Sequence, residues 1–286
     1  MTIKQNFMRV VKVTIGSYSF SSDNLHIEFE SPFDDDSEPN TTTIKVFNLS
    51  KDTISKLKRG LTCTLQAGYK DDFGVLAVGT VSSASTKWDG VDKITTIKSV
   101  DGTDKSKEWV SVKNATKSTI KKNKDGEISK NSLAIKFAKG SKGLDMIKRL
   151  LSALNMKTAG PIDLKRNKVY KKGYTVTKVI MNDLETIVND CGSIMYWRRG
   201  KIVIRQLNQG HDEKFTINSE TGLISSPSQI DDNGVNAIQV KCALQFRITT
   251  CSIINIESQH VKGKYRAYEG KHVCTGSDFY TEFKAV

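Results

Sequence analysis

The chain has 286 residues, with 44 lysines and arginines against 31 aspartates and glutamates, a formal net charge of +13. Hydrophobic residues make up 37% and aromatics 8%, lean but enough for a buried core in one large or two modest domains. No apolar run approaches the roughly 20 residues that span a bilayer, and charges interrupt the apolar stretch at the amino terminus, so the sequence predicts neither membrane helices, Sec-type secretion nor global disorder.

Residues 8–15 and 25–30 alternate apolar and polar side chains, the pattern of half-buried strands. An acidic, proline-containing loop occupies 31–40, and 42–47 returns to strand. Ser50 is placed to cap a short helix with Ile54 and Leu57 on one face and Gly60 as its stop. Leu61, Cys63, Leu65 and Ala67 alternate on the next strand. The turn signal Asp89-Gly90 joins strands at 84–88 and 93–100. Many short strands with turns between them predict a barrel or sandwich carrying one small helix.

The middle differs in kind. Residues 113–130 (KNATKSTIKKNKDGEISK) hold few apolar side chains and read as an exposed loop or long hairpin. A strand at 133–138 precedes a helix at 143–156, whose Leu144, Ile147, Leu150, Leu151 and Leu154 make one apolar stripe. Residues 176–191 form a second helix, closed by Gly192. Strands then return: 193–198 with 201–207 around Arg199-Gly200, 235–248 with 250–256 as long partners, and 264–274 with 279–285. The expected class is α+β, mainly β: two β-barrel-like modules at 1–104 and 193–286, flanking a basic, α-containing domain at 105–192. No internal sequence repeat is visible, although both ends are β modules of similar size.

The charge is unevenly placed. Residues 1–104 carry a net −2, residues 105–172 a net +14 and residues 173–286 a net +1, so the whole excess lies in one middle segment. Lysine outnumbers arginine 35 to 9, a bias that an AT-rich genome produces by itself. Few aromatics and almost no arginine accompany the block, which argues for a solvated face or an acidic partner over nucleic acid. Lys113, Lys117, Lys121, Lys122 and Lys124 are the candidate partner contacts.

Catalytic and metal chemistry finds little footing. Gly140-Ser141-Lys142-Gly143 precedes a helix and resembles a phosphate cradle, but GxxxxGK[ST] spacing is absent and ordinary helix-start chemistry explains it. Cys191 is the best-placed thiol, yet a helix C-terminus disfavours the thiolate. His272 and Cys274 share a strand face, with His260 nearby, a weak zinc set without HExxH. Asp34-Asp35-Asp36-Ser37-Glu38 lacks the glycine and distal glutamate of a calcium loop and reads as solvated. The five cysteines are scattered with no CxxC, as in a protein with reduced thiols. The expectation is no enzyme, no cofactor and no metal.

Two stretches carry a family pattern. Residues 44–50 (IKVFNLS), 65–69 (LQAGY) and 74–81 (GVLAVGTV) resemble the opening domain of phage baseplate hub proteins, the tube-to-spike adaptors of tailed phages. Residues 217–227 (INSETGLISSP), 254–268 (INIESQHVKGKYRAY) and 270–272 (GKH) are similar to the C-terminal β module of the same hub family in Gram-positive phages and tail-like bacteriocins. The basic loop at 113–130 departs from the pattern. The resemblance implies a homotrimer whose two β modules per chain form a pseudo-six-fold ring. Its implied partners are the tail tube protein, a central spike or puncturing protein and other baseplate proteins. Its implied place is a virion tail or tail-like particle, assembled from protein made in the bacterial host cytoplasm. Nucleic-acid binding through 105–172 is the second reading.

Overall fold

A computed structural model of the chain describes residues 6–103, 105, 107–122, 127–128 and 133–286. The amino-terminal part runs β1 (Arg9–Ile15), β2 (Tyr18–Ser21), β3 (Ile27–Asp34), β4 (Thr41–Phe47), α1 (Lys51–Lys56), β5 (Thr62–Tyr69), β6 (Asp72–Asp89) and β7 (Asp92–Asp101). The middle holds β8 (Ile135–Phe137), β9 (Ser141–Lys142), α2 (Gly143–Ala153), β10 (Val169–Tyr170), β11 (Tyr174–Val176) and α3 (Ile180–Asp190). The hairpin β12 (Ser193–Arg198) and β13 (Lys201–Gln206) follows. The chain continues as β14 (His211–Ile217), β15 (Ser228–Asp232), β16 (Val235–Ala243), β17 (Ser252–Glu257), β18 (Lys262–Cys274) and β19 (Phe279–Ala285).

Strands take 51% of the described residues and helices 11%, so the fold is mainly β. Thirteen strands share one sheet, whose path runs β15-β16-β19-β18-β3-β4-β7-β6-β5-β1-β2, with β17 on β18 and β14 on β17. The path is open, which corrects the expected barrel-like modules. The reason lies in β3, which spends its second edge on β18 and leaves β2, among the described residues, with β1 as its one partner. The expected pairing of 235–248 with 250–256 is also corrected. β16 lies between β15 and β19, whereas β17 lies between β14, which runs parallel to it, and β18.

The two β regions repeat one topology that the sequence hides. β3, β4, β5, β6 and β7 stand in the order β3-β4-β7-β6-β5; β15, β16, β17, β18 and β19 stand in the order β15-β16-β19-β18-β17. Both long strands carry a bulge at the same place: between Val81 and Ser83 in β6, against β7, and between Ala267 and Glu269 in β18, against β19. A bulge bends its strand and raises the local twist, so β6 pairs with β5 before its bend and runs on along β7 past it, while β18 pairs with β17 before its bend and with β19 and β3 past it.

Among the described residues the buried apolar side chains form three large cores and a small fourth one around Tyr196, Val203 and Cys251. Val13, Ile15, Ile44, Leu65 and Ile97 centre the first, α2 and α3 with Met195, Trp197, Ile202 and Ile204 the second, and Val240, Ile254, Ile256 and Phe283 the third. Residues cross between them. Phe33 of β3 belongs to the carboxy-terminal core, and Leu244, Cys274 and Phe279 belong to the amino-terminal one. All five cysteines are buried and unpaired. Among the described residues no helix is long and apolar enough to cross a membrane.

Candidate assembly interface

The joint between the two β regions is the antiparallel pair β3–β18, registered from Glu269 opposite Asp34 to Cys274 opposite Phe29. Its buried side is tied by short polar contacts in an apolar setting. Ser31 and Thr42 share a hydroxyl hydrogen bond of 2.9 Å, and His272 Nδ1 and Thr281 Oγ1 share one of 2.8 Å. His272 is buried and its pKa is pushed down to about 3, by burial first and then by the charge of Arg199, so it stays neutral. The outer side of the same strands is a ladder of charge pairs: Lys45 with Glu28, Lys271 with Glu30, and Lys284 with both Glu269 and Asp232. Such exposed pairs add little stability each but keep the face hydrated and its charge balanced.

The hairpin β12–β13 is a wedge with two apolar faces. Alternation sends Met195 and Trp197 toward the helices, while Tyr196 packs with Val203 and Cys251 on the opposite side. Trp197 donates its indole N–H to the Ser37 carbonyl at 3.1 Å. At the tip Arg198 donates to the Thr250 carbonyl at 2.8 Å and pairs with Glu213, while Arg199 donates to the Phe246 carbonyl at 2.7 Å. Arg247 grips Asp72 with two hydrogen bonds of 2.7 and 2.6 Å, and Arg266 holds Asp35 at 2.8 Å. Bidentate and buried charge pairs of this kind fix geometry strongly. The middle helices are thereby locked to both β regions.

Sequence reasoning missed this cluster. The usable signal was the scarcity of arginine: in a chain with 9 arginines, four of them (Arg198, Arg199, Arg247 and Arg266) sit at the seams, where a planar, multi-donor side chain is needed. The acidic run, read as a solvated loop, is partly structural. Asp35 holds Arg266, Ser37 accepts from Trp197, and Asn40 donates to Asp34 at 3.2 Å. Burial and the neighbouring Asp36 charge push the Asp34 pKa up to about 6; burial and then the Asp34 charge push that of Asp101 up to about 7.

The other sequence candidates fall apart in space or are already engaged. At the start of α2 the Gly143 amide donates to the Lys168 carbonyl at 2.8 Å and the Leu144 amide to Asn167 Oδ1 at 3.0 Å, so the suspected phosphate cradle is occupied by its own chain. His260 is exposed before β18 begins, whereas His272 and Cys274 are buried at its far end. Among the described residues no cluster of three or more His, Cys, Asp or Glu side chains is arranged to hold a metal. Lys113, Lys117, Lys121 and Lys122 are exposed, and Lys124 lies outside the described residues. Among the described residues, basic groups of 105–172 make two ion pairs, Lys105–Glu108 and Lys168–Asp190. Trp109 is 59% exposed.

The fold resembles that of solved phage tail proteins. The chain matches the 43 kDa tail protein of prophage MuSo2 from Shewanella oneidensis with a TM-score of 0.63 at 7% identity, covering 97% of each chain. It matches the tail protein from Neisseria meningitidis MC58 with a TM-score of 0.60 at 10% identity, over 98% of this chain and 96% of that one. The third similar structure is an E. coli component of the type VI secretion system, itself described as structurally similar to the T4 bacteriophage tail proteins gp27 and gp5. Its TM-score is 0.61 at 7% identity, over 96% of this chain and 76% of that one. No protein-family model matches the sequence, and no curated protein matches it either.

Proposed function

We propose that the chain is a structural hub of a tail baseplate. As a homotrimer it would continue the hexameric tail tube on one side and receive a central spike on the other. The observation that carries this reading is the repeated five-strand topology, with its two copies joined edge to edge in one sheet. Two equivalent modules per chain and three chains supply six similar units, which is what a three-fold adaptor facing a six-fold tube requires. Residues 1–104 and 193–286 are the ring-forming parts in this reading. Residues 105–192 project from the ring and carry the basic surface toward other baseplate proteins. The similar folds of tail proteins and of a secretion-system component support a place in a virion tail or tail-like particle. No step of this role needs catalysis. Co-expression with the tube protein of the same particle tests it, with a complex of three hub chains on a six-fold ring as the expected product.

A second reading, nucleic-acid binding, rests on the exposed lysines and on Trp109. DNA affinity would then fall steeply with salt, and removing the lysines at 113, 117, 121 and 122 would flatten that slope.

A further inference from the structure

The repeat inside the chain indicates which edges a second copy meets. In the internal joint the far half of β18, beyond its bulge, pairs with β3. The counterpart of β18 is β6, and the counterpart of β3 is β15. Among the described residues both counterparts have an unused edge. β6 pairs with β5 through Thr80, but its pairing with β7 continues to Asp89, so among the described residues 82–89 have a strand on one side alone. β15 pairs with β16 and no other strand in the described residues. Open edges of this kind are templates for another strand.

The register follows from the bulges. Val81 and Ala267 precede them, so Ser83 corresponds to Glu269, Ser85 to Lys271 and Trp88 to Cys274. Across the sheet, Lys98 corresponds to Lys284, Thr43 to Gln239, Glu30 to Ser228 and Asp34 to Asp232. We propose that residues 82–89 of β6 pair antiparallel with β15 of a second copy of this chain, in the register of the internal joint. Ser83 then lies opposite Asp232 of the next copy, Ala84 opposite Asp231, Ser85 opposite Ile230, Thr86 opposite Gln229 and Lys87 opposite Ser228.

Exposure of apolar side chains supports both the edges and the occupant. Cys274, beneath the strand that covers it, is 7% exposed, while its counterpart Trp88 is 71% exposed and Val91 beside it 91% exposed. At the other edge Ile224 and Val235 are 56% and 49% exposed. Pairing joins two edges that each carry uncovered apolar surface. The contact is head to tail, so each copy has one edge of each kind to offer, and repetition either closes a ring or runs on as a fibre. Closure at three rests on the hub reading; the pairing itself does not.

Disulfide trapping tests it. Directly opposed Cα atoms in an antiparallel pair stand about 4.5–5.5 Å apart, within disulfide reach, and the native cysteines are all buried. The full chain carrying Ser85→Cys and Ile230→Cys should give covalent dimers and trimers on mild oxidation, reversed by reductant. Ser85→Cys chains mixed with Ile230→Cys chains should stop at dimers. Lys87→Cys with Ser228→Cys should behave as the first pair does. Ser85→Cys with Asp231→Cys, one residue out, should not cross-link, because neighbouring residues face opposite sides of a sheet. Trimers by mass without the Ser85–Ile230 cross-link overturn the pairing and leave the hub reading standing. A strict monomer that melts at the wild-type temperature and never cross-links overturns both.

Discussion

Gly270 lies directly beneath Phe33: a Cβ at position 270 would stand 2.6 Å from Phe33 Cζ and 2.5 Å from the Glu282 carbonyl oxygen. The missing side chain lets β18 approach β3 closely enough for Phe33 to enter the carboxy-terminal core. The joint between the two β regions therefore depends on one hydrogen atom in place of a methyl.

Gly270→Val is expected to lower stability by about 1–3 kcal/mol, the usual range for forcing volume into a packed core. Thermal unfolding measures it. A Phe33→Ala, Gly270→Val double variant should lose less than the two single changes added together, because one of the colliding groups is gone while the clash with the Glu282 carbonyl stays.

Trp197→Ala removes an aromatic side chain 3% exposed and the hydrogen bond to Ser37. The expected loss is about 3–5 kcal/mol. Trp197→Phe keeps most of the burial and should cost much less. Limited proteolysis of the alanine variant should cut first around residues 35–40, the loop the indole N–H holds; the expected loop at 31–40 is shorter because β3 runs on to Asp34 along β18.

Asp101 makes stability depend on pH. Its pKa of about 7 in the folded chain lies above the unfolded value of 3.8, with burial as the main cause. The folded state thus binds the proton more tightly, so this contribution is complete below about pH 4 and disappears as pH rises to about 7. Asp34, raised to about 6, acts in the same direction. Asp101→Asn is expected to be more stable than the parent at pH 8, on the order of 1–2 kcal/mol for a side chain that keeps some solvent contact, and equal to it near pH 4. Melting curves at pH 4, 6 and 8 read this directly.

Replacing Lys113, Lys117, Lys121 and Lys122 with glutamate touches exposed side chains, so melting should stay within about 0.5 kcal/mol per site. Incorporation into assembled particles should fall, since a basic face turned acidic repels an acidic partner. Unchanged incorporation would show that this surface meets no partner during assembly.

Local order was readable from the residues. Ser50 does cap α1, accepting from the Thr53 amide; α2 buries Ile147, Leu150, Leu151 and Leu154 of the stripe read from its spacing, with Leu144 at the margin; and the turn at Asp89-Gly90 closes β6 onto β7. Long-range relations were not. The repeat is invisible in sequence because equivalent positions need only share a face: Ile97 and Phe283 both fill a core, and Thr86 stands where His272 does. The length of β6 was hidden as well. Its bulge after Val81 looks like a turn to periodicity, which reverses phase there. The parallel strand β14 was missed because its burial alternates weakly, with Ile217 alone fully covered. The arginine seams looked like ordinary surface charge, since nothing local distinguishes Arg198, bound to Glu213 and Thr250, from a solvated neighbour.

The mass and symmetry of the isolated chain bound to its tail tube protein bear on the hub role more directly than any variant. Native mass spectrometry with negative-stain imaging should show three hub chains per tube ring and a hub layer of pseudo-six-fold appearance. A chain that remains monomeric at high concentration and does not bind the tube protein would contradict the role.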